Sequence, residues 1–164
     1  MNERITEVDA ANCFIETSRS FLREYSSSVK ACLENLNADD IWWRPNESSN
    51  NIGNLMLHMS GSLRQWILTG IGGAPDRRVR QEEFDERSEI PKEELYLKLH
   101  STIQEVDEVL ARIDPSRLLE KLQIFGETRT WLFAIYHMIE HVSMHAGQII
   151  MITKLRSGKD LALQ

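Results

Sequence analysis

Four stretches of the chain repeat their apolar residues with the 3.6-residue period of an amphipathic helix, and none alternates as a strand does. The predicted helices run from about Asp9 to Leu36, from about Asn50 to Thr69, from Pro91 to the "DPSR" break at Asp114, and from Thr130 to about Ser157. Thr130 suits an N-cap, and Gly158 suits the residue that ends the last helix. The pattern therefore predicts a helical protein.

Four long helices in one chain predict an all-α fold, namely a four-helix bundle. We expect residues 1–164 to form one domain, because a chain of this length holds a single substantial core. The three connections between the predicted helices are long. Crossover topologies therefore remain open beside the simple up-and-down bundle, and periodicity does not choose between them.

Composition narrows the classes of function. Hydrophobic residues make up 41% of the chain and charged residues 27%, which is typical of a folded domain. The net charge of −6 argues against nucleic-acid binding, which needs a basic surface. No stretch approaches the length of an apolar membrane span or a signal core, so we expect a cytoplasmic protein. Cys13 and Cys32 lie too far apart on the first helix to pair.

The most basic segment is also the most mixed in charge. Arginines at positions 77, 78 and 80 are followed at once by acidic residues at 82, 83, 85 and 86. Such alternation is typical of an exposed, ion-paired loop, which is the favoured interpretation here. The alternative is that Arg78, Arg80 and Glu83 close over a pocket and hold a carboxylate group of a ligand.

Three of the five histidines lie on one stripe of the fourth helix. His137, His141 and His145 project among apolar residues and away from the charged face. Two histidines four residues apart rise about 6 Å along the axis and can share one metal ion, whereas the outer two are about 12 Å apart and cannot. At most one adjacent pair binds, and spacing does not say which. The competing interpretation is that two half-buried histidines donate hydrogen bonds to backbone carbonyls.

The other histidines carry weaker signals. His58 projects beside the amides of Asn51 and Asn54, so the pattern favours a polar outer face, with a wet cavity as the alternative. His100 projects opposite the apolar stripe of the third helix and is predicted at the surface. Glu140 lies on the solvent strip of the fourth helix, so we do not expect it to be a ligand.

Two segments resemble the DinB/YfiT-like superfamily, a group of bacterial proteins regarded as metalloenzymes. They are "WWRPNESSNNIGNLMLHMSGSLRQWI" (Trp42 to Ile67) and "EHVSMHAGQI" (Glu140 to Ile149). The loop "RRVRQEEFD" (Arg77 to Asp85) looks like that of one branch of the superfamily. The resemblance covers most of the chain, and it implies a four-helix bundle of unusual connectivity.

The resemblance also implies one divalent metal ion held by three histidines. Carried over to this sequence, the ligands are His58, His141 and His145. Zinc and nickel suit such a set, and iron or manganese are possible. His137 lies outside it and stays a candidate catalytic acid or base, a group that orients a ligand, or packing, which is favoured. Gly147 is expected to permit a close helix approach, and Gln148 to orient a ligand.

The function implied by the resemblance is thiol chemistry. Similar proteins include transferases that use bacillithiol, mycothiol or glutathione, so we expect a metal-dependent S-transferase, or a hydrolase, that acts on a small thiol and an electrophile. Apart from His137, no catalytic residue stands out. The alternatives are a non-catalytic metal-binding or stress-related module, and a bundle with no metal. The resemblance further implies a homodimer.

Overall fold

The structure, a computed structural model, describes residues 6–88, 90–124 and 126–161. These ranges contain six α-helices and two short strands. The helices are α1 (Glu7–Glu34), α2 (Ala38–Trp42), α3 (Ile52–Leu63), α4 (Arg80–Asp85), α5 (Lys92–Ala111) and α6 (Trp131–Ser157). The strands are β1 (Lys121–Ile124) and β2 (Glu127–Thr130), which follow a 3₁₀ turn over Pro115–Leu119. The predicted all-α fold and its four long helices are confirmed.

The four long helices form a closed ring. α1 packs against α5 and α6, and α3 packs against the same two helices, so α1 lies across the bundle from α3. Fully buried side chains such as Leu22, Met59, Leu99 and Ile135 fill the space between them. Because α1 and α3 are consecutive long helices, the chain crosses the bundle between them. The topology is therefore a crossover one and not a simple up-and-down bundle.

Side chains fix the ends of two long helices, and those of α6 lie where the sequence predicts. The hydroxyl of Thr6 accepts a hydrogen bond from the backbone of Asp9, and the Asp9 carboxylate accepts one from the Thr6 backbone. Thr130 caps α6 in the predicted position, and Gly158 ends that helix in the left-handed conformation with φ +65°. The register of α6, and with it the direction of its histidines, is set at both ends.

The helix that follows Asn51 changes its winding after Leu63. Arg64–Thr69 is π-helical, with the Gly70 N–H bonded to the Gln65 carbonyl at 3.1 Å. A π-helical turn holds more residues than an α-helical one and often lies at a functional site. Here it begins less than two helical turns after His58.

A small hairpin is the feature that the sequence analysis wrongly left out. β1 and β2 pair in antiparallel fashion. Leu122 and Ile124 point into a small apolar cluster with Trp131 and Ala134. A four-residue strand has only two inward positions, so its alternation is too short to be recognised in the sequence.

Two further predictions concern the bundle surface. His100 is half-buried between α5 and α1 instead of lying at the open surface, because its Nδ1 lies 3.3 Å from Ser26 Oγ and its ring stacks on Tyr96. Cys13 is exposed and Cys32 is buried, and the two are unbridged as predicted. None of the helices in the described residues combines the length and apolar character needed to cross a membrane.

Candidate metal centre

Three imidazole nitrogens converge where α3 packs against α6. The Nε2 atom of His141 lies 3.0 Å from Nε2 of His58 and 3.2 Å from Nε2 of His145. His58 and His145 are buried, and His141 is half-buried. The structure thus brings together the three histidines that the resemblance implied. It selects the second adjacent pair of α6, which spacing alone had left open.

The separations match the size of one metal ion. Nitrogens bound to one ion at about 2.0–2.1 Å lie roughly 2.9–3.4 Å apart for bond angles between right-angled and tetrahedral. The two Nε2 separations fall within that range, and the three ligand atoms all lie within 4.8 Å of one another. The three histidines are therefore close enough together to bind one metal ion.

The electrostatics of His58, His141 and His145, called the trio from here on, also suit a cation. Burial, followed by the neighbouring imidazoles of His145 and His58, lowers the pKa of His141 to about 3. Burial also lowers the pKa of His145, although its hydrogen bond to Gln148 opposes the shift. Both imidazoles are therefore neutral at physiological pH, and their lone pairs are available as metal ligands.

Hydrogen bonds orient two of the three imidazole rings, those of His58 and His145. His58 Nδ1 lies 2.9 Å from Glu83 Oε2 and 3.1 Å from a guanidinium nitrogen of Arg78. The shorter contact is to a carboxylate, which only accepts, so we place the proton on Nδ1. His145 Nδ1 likewise donates to Gln148 Oε1 at 2.7 Å. A proton on Nδ1 leaves Nε2 free for a metal, which is the usual arrangement around metal-binding histidines. The prediction that Gln148 orients a histidine agrees with this contact.

The third ring is oriented differently. His141 Nδ1 is buried and has no hydrogen-bond partner within the described ranges. A buried polar atom without a partner costs free energy, about 1–3 kcal/mol for a typical group. The central imidazole is therefore held by its packing and by its Nε2 contacts with His58 and His145, and its Nδ1 does not contribute.

The segment from Arg78 to Glu83 covers the outer side of His58. Arg78 donates to both carboxylate oxygens of Glu83, at 2.7 and 2.8 Å, to Gln65 Oε1 at 2.8 Å and to Ser62 Oγ at 2.9 Å. The side chains of Arg78 and Glu83 are only 8% and 11% exposed. The predicted ion pair is present, and most residues of the loop are exposed as expected, but Arg78 and Glu83 themselves are nearly buried.

The burial of this pair explains why the pattern misjudged His58. The Asn54 amide donates to the backbone carbonyls of Glu83 and Glu86, so the polar face of α3 is covered by a polar segment and not by water. Burial alone would raise the pKa of Glu83, but hydrogen bonds from Arg78 and His58 outweigh it and hold the pKa below its usual value. Glu83 therefore stays anionic beside the trio.

A cavity of about 300 Å³ opens beside the trio. Its lining consists of His58, Ser62, Gln65, Trp66, Arg78, Arg80, His137 and His141. A small molecule in this cavity would contact the imidazoles of His58 and His141 directly. The arrangement is an open one, with protein ligands on one side and space for a further ligand on the other.

The sequence profile described as "Protein of unknown function (DUF1572)" matches residues 9–163. The chain belongs to the DUF1572 family. Two crystal structures are similar to this DUF1572 protein. A conserved protein from Enterococcus faecalis is 17% identical, has a TM-score of 0.72, and is aligned over 88% of this chain and 97% of its own.

The second similar structure names the superfamily. A DinB-like protein, YjoA, from Bacillus subtilis is 16% identical and has a TM-score of 0.68, over 90% of this chain and 95% of its own. At these identities the likeness concerns the fold, and it agrees with the DinB-like superfamily that the motifs indicated. No curated protein matches the DUF1572 chain in sequence.

His137 lies outside the trio in this DUF1572 protein. Its ring packs edge-on against Trp66 at 4.8 Å and stacks on Phe133, and its Nδ1 lies 3.5 Å from a carboxylate oxygen of Glu140. His137 therefore forms part of the cavity wall. Glu140 is exposed and is not among the grouped ligands, as predicted. Gly147 is exposed with open space around it, so none of the described helices of the same chain approaches it closely.

Two residues of the DUF1572 site were anticipated only in part. Glu83 was named in the alternative in which the charged loop closes over a pocket, but its contact with His58 was not predicted. Gly61 lies directly beneath it, because a Cβ atom added at Gly61 would lie 1.9 Å from Glu83 Oε1. A glycine within an otherwise well-formed helix, one turn after His58, was the available signal.

Proposed function

We propose that this DUF1572 protein is a metal-dependent enzyme that transfers a low-molecular-weight thiol to an electrophile. His58, His141 and His145 would bind the divalent ion, with zinc or nickel as the candidates and iron or manganese also suited to imidazole. The observation that carries the proposal is the convergence of three imidazole nitrogens beside an open cavity.

The donor set favours catalysis over a structural role. Structural zinc sites usually have four protein ligands, often cysteines, whereas catalytic sites keep a position open. Both cysteines of the chain are outside the trio, and the Glu83 carboxylate is occupied by Arg78 and His58. Three neutral imidazoles leave the full charge of a divalent ion, and such an ion lowers the pKa of a thiol or water bound to it.

The residues of the cavity wall have different roles in the proposed reaction. Trp66 and Phe133 hold the ring of His137 at the wall, so this imidazole is the candidate to accept a proton from a bound thiol. In the proposed reaction the sulfur forms a bond to an electrophilic carbon as the leaving group of that carbon departs. Arg78 takes no direct part, because it is engaged with Glu83, Gln65 and Ser62.

We expect thiol conjugation that depends on the metal. Protein loaded in turn with zinc or nickel is mixed with 1-chloro-2,4-dinitrobenzene and with glutathione, bacillithiol or mycothiol, and product absorbance is followed. His137→Gln should lower the rate about 10²–10⁴-fold while one ion stays bound, because a positioned acid or base contributes about that factor. A matched His100→Gln variant should retain the wild-type rate. Metal binding without conjugation of any thiol would favour the non-catalytic module.

We also propose that two copies of the chain associate through α6. Large apolar side chains are exposed along this helix at Tyr136, Met144, Met151 and Leu155, at 61%, 50%, 60% and 66%. Glu140 and Lys154 each lie seven residues from Gly147. An antiparallel pair of α6 helices with its two-fold axis at Gly147 would place each Glu140 opposite the partner's lysine, which supports a second copy as the occupant.

Sedimentation equilibrium tests this association. We expect a dimer for the wild-type protein and a monomer for Met151→Lys, because a charge would then be buried in the apolar contact. Leu97→Lys is the control, since Leu97 is 65% exposed on α5, away from the exposed apolar residues of α6. A wild-type monomer at tens of micromolar, or equal dissociation of both variants, would contradict the proposal.

A further inference from the structure

The cavity beside the trio has an unusual balance of charge. Its lining includes two arginines, Arg78 and Arg80, and three histidines, but no aspartate or glutamate. Because Arg78 is paired with Glu83, Arg80 carries the unbalanced positive charge of this lining, and a divalent ion on the trio would add to it. A cavity lined by one sign of charge attracts ligands of the opposite sign, and its apolar walls strengthen the effect.

The two arginines differ in whether their guanidinium N–H groups are available to a ligand. Arg78 is 8% exposed, and its guanidinium already donates to Glu83, Gln65 and Ser62. It cannot turn towards a ligand without breaking the contacts that cover His58. Its charge is also balanced by the carboxylate of Glu83. Arg78 therefore positions the site and does not recognise the ligand.

Arg80 is held at the rim of the cavity in a different way. Its guanidinium carbon lies 4.8 Å from the ring centre of Phe84, and the Phe84 ring lies 4.7 Å from the ring of His58. Within the described ranges Arg80 forms no ion pair with a carboxylate. Stacking on an aromatic ring fixes the plane of a guanidinium while leaving its edge N–H groups available.

We propose that Arg80 binds a carboxylate on the thiol whose sulfur is directed to the trio. This inference rests on the proposed function and names the class of thiol, one with an anionic group several bonds from its sulfur. An arginine edge presents two parallel N–H groups that match the two oxygens of a carboxylate. Phe84 packs against both Arg80 and His58, so it fixes the position of the guanidinium edge relative to His58. A neutral thiol of the same length would lack this contact.

Two thiols with the same carbon skeleton, one with a carboxylate and one with its neutral methyl ester, provide the probe. Protein loaded with cobalt(II) is titrated with 3-mercaptopropionate and with its methyl ester, and the sulfur-to-cobalt charge-transfer band gives the two Kd values. We expect Arg80→Gln to weaken binding of the acid about five- to tenfold relative to the ester, as for the loss of one charge-assisted pair. Arg77→Gln, an exposed arginine that does not line this cavity, is the matched control.

The outcomes separate this inference from the function on which it rests. Equal acid-to-ester ratios in wild type and Arg80→Gln, with the band present for both thiols, would overturn the role of Arg80 and leave the thiol function standing. No band with either thiol in the wild-type protein would overturn the thiol function, and with it this inference. Metal content is measured for each variant, and we expect about one ion per chain in all of them.

Discussion

Replacement of His141 by alanine is expected to remove the bound metal. The wild-type protein, purified without an affinity tag, should contain about one divalent ion per chain, and His58→Ala and His141→Ala should contain almost none. The reason is geometric, because His141 Nε2 is the atom that lies within 3.2 Å of both other ligand nitrogens. Metal analysis by plasma mass spectrometry measures the content directly.

Two histidines outside the trio provide the controls for this experiment. His137 is on the same helix, four residues before His141, and His100 lies between α5 and α1. We expect His137→Ala and His100→Ala to keep the ion. Circular dichroism should show a helical fold for every variant, since the core of the bundle is unchanged. A wild-type protein that stays free of metal after dialysis against zinc, nickel and manganese would refute the metal site.

The second large effect is expected at Glu83. Glu83→Gln keeps the size of the side chain but presents an amide to Arg78 and His58, which are both donors. Breaking a buried ion pair by changing one partner should lower the free energy of unfolding of the metal-free protein by about 3 kcal/mol. Loss of the group that orients a ligand should weaken metal affinity about 10–100-fold.

The neighbouring glutamate supplies a matched comparison. Glu82 is exposed on the same helix, so Glu82→Gln should change neither unfolding nor metal affinity measurably. Urea denaturation of the metal-free proteins and competition with a chelator measure the two quantities. If both variants behaved alike, the contact between Glu83 and His58 would have no role in the site.

The long helices could be predicted because each carries its own signal. The apolar period and the caps at Thr130 and Gly158 are local properties, and they set the ends of α6 to within a residue. The order of the helices in the ring depends on contacts between distant segments, so periodicity left it open. The hairpin was missed because its strands have four residues each.

The site was predictable only in part for a similar reason. A helical projection groups His137, His141 and His145, but it cannot say which of them faces α3. The resemblance selected His141 and His145 and added His58, against the polar pattern around that residue. Glu83 was named only in the alternative of a closing loop, because its contact with His58 depends on a loop that folds back over α3 and on the space that Gly61 leaves.

The π-helical turn at Arg64–Thr69 bears on how this chain should be aligned with its relatives. Such a turn accommodates one extra residue without breaking the helix. A relative whose third helix is regular would therefore align with this chain only through a one-residue gap between His58 and Gly70. Ungapped alignment would shift Trp66 by one position and rotate it about 100° from its true equivalent. Comparison of the cavity walls across the family depends on placing that gap correctly.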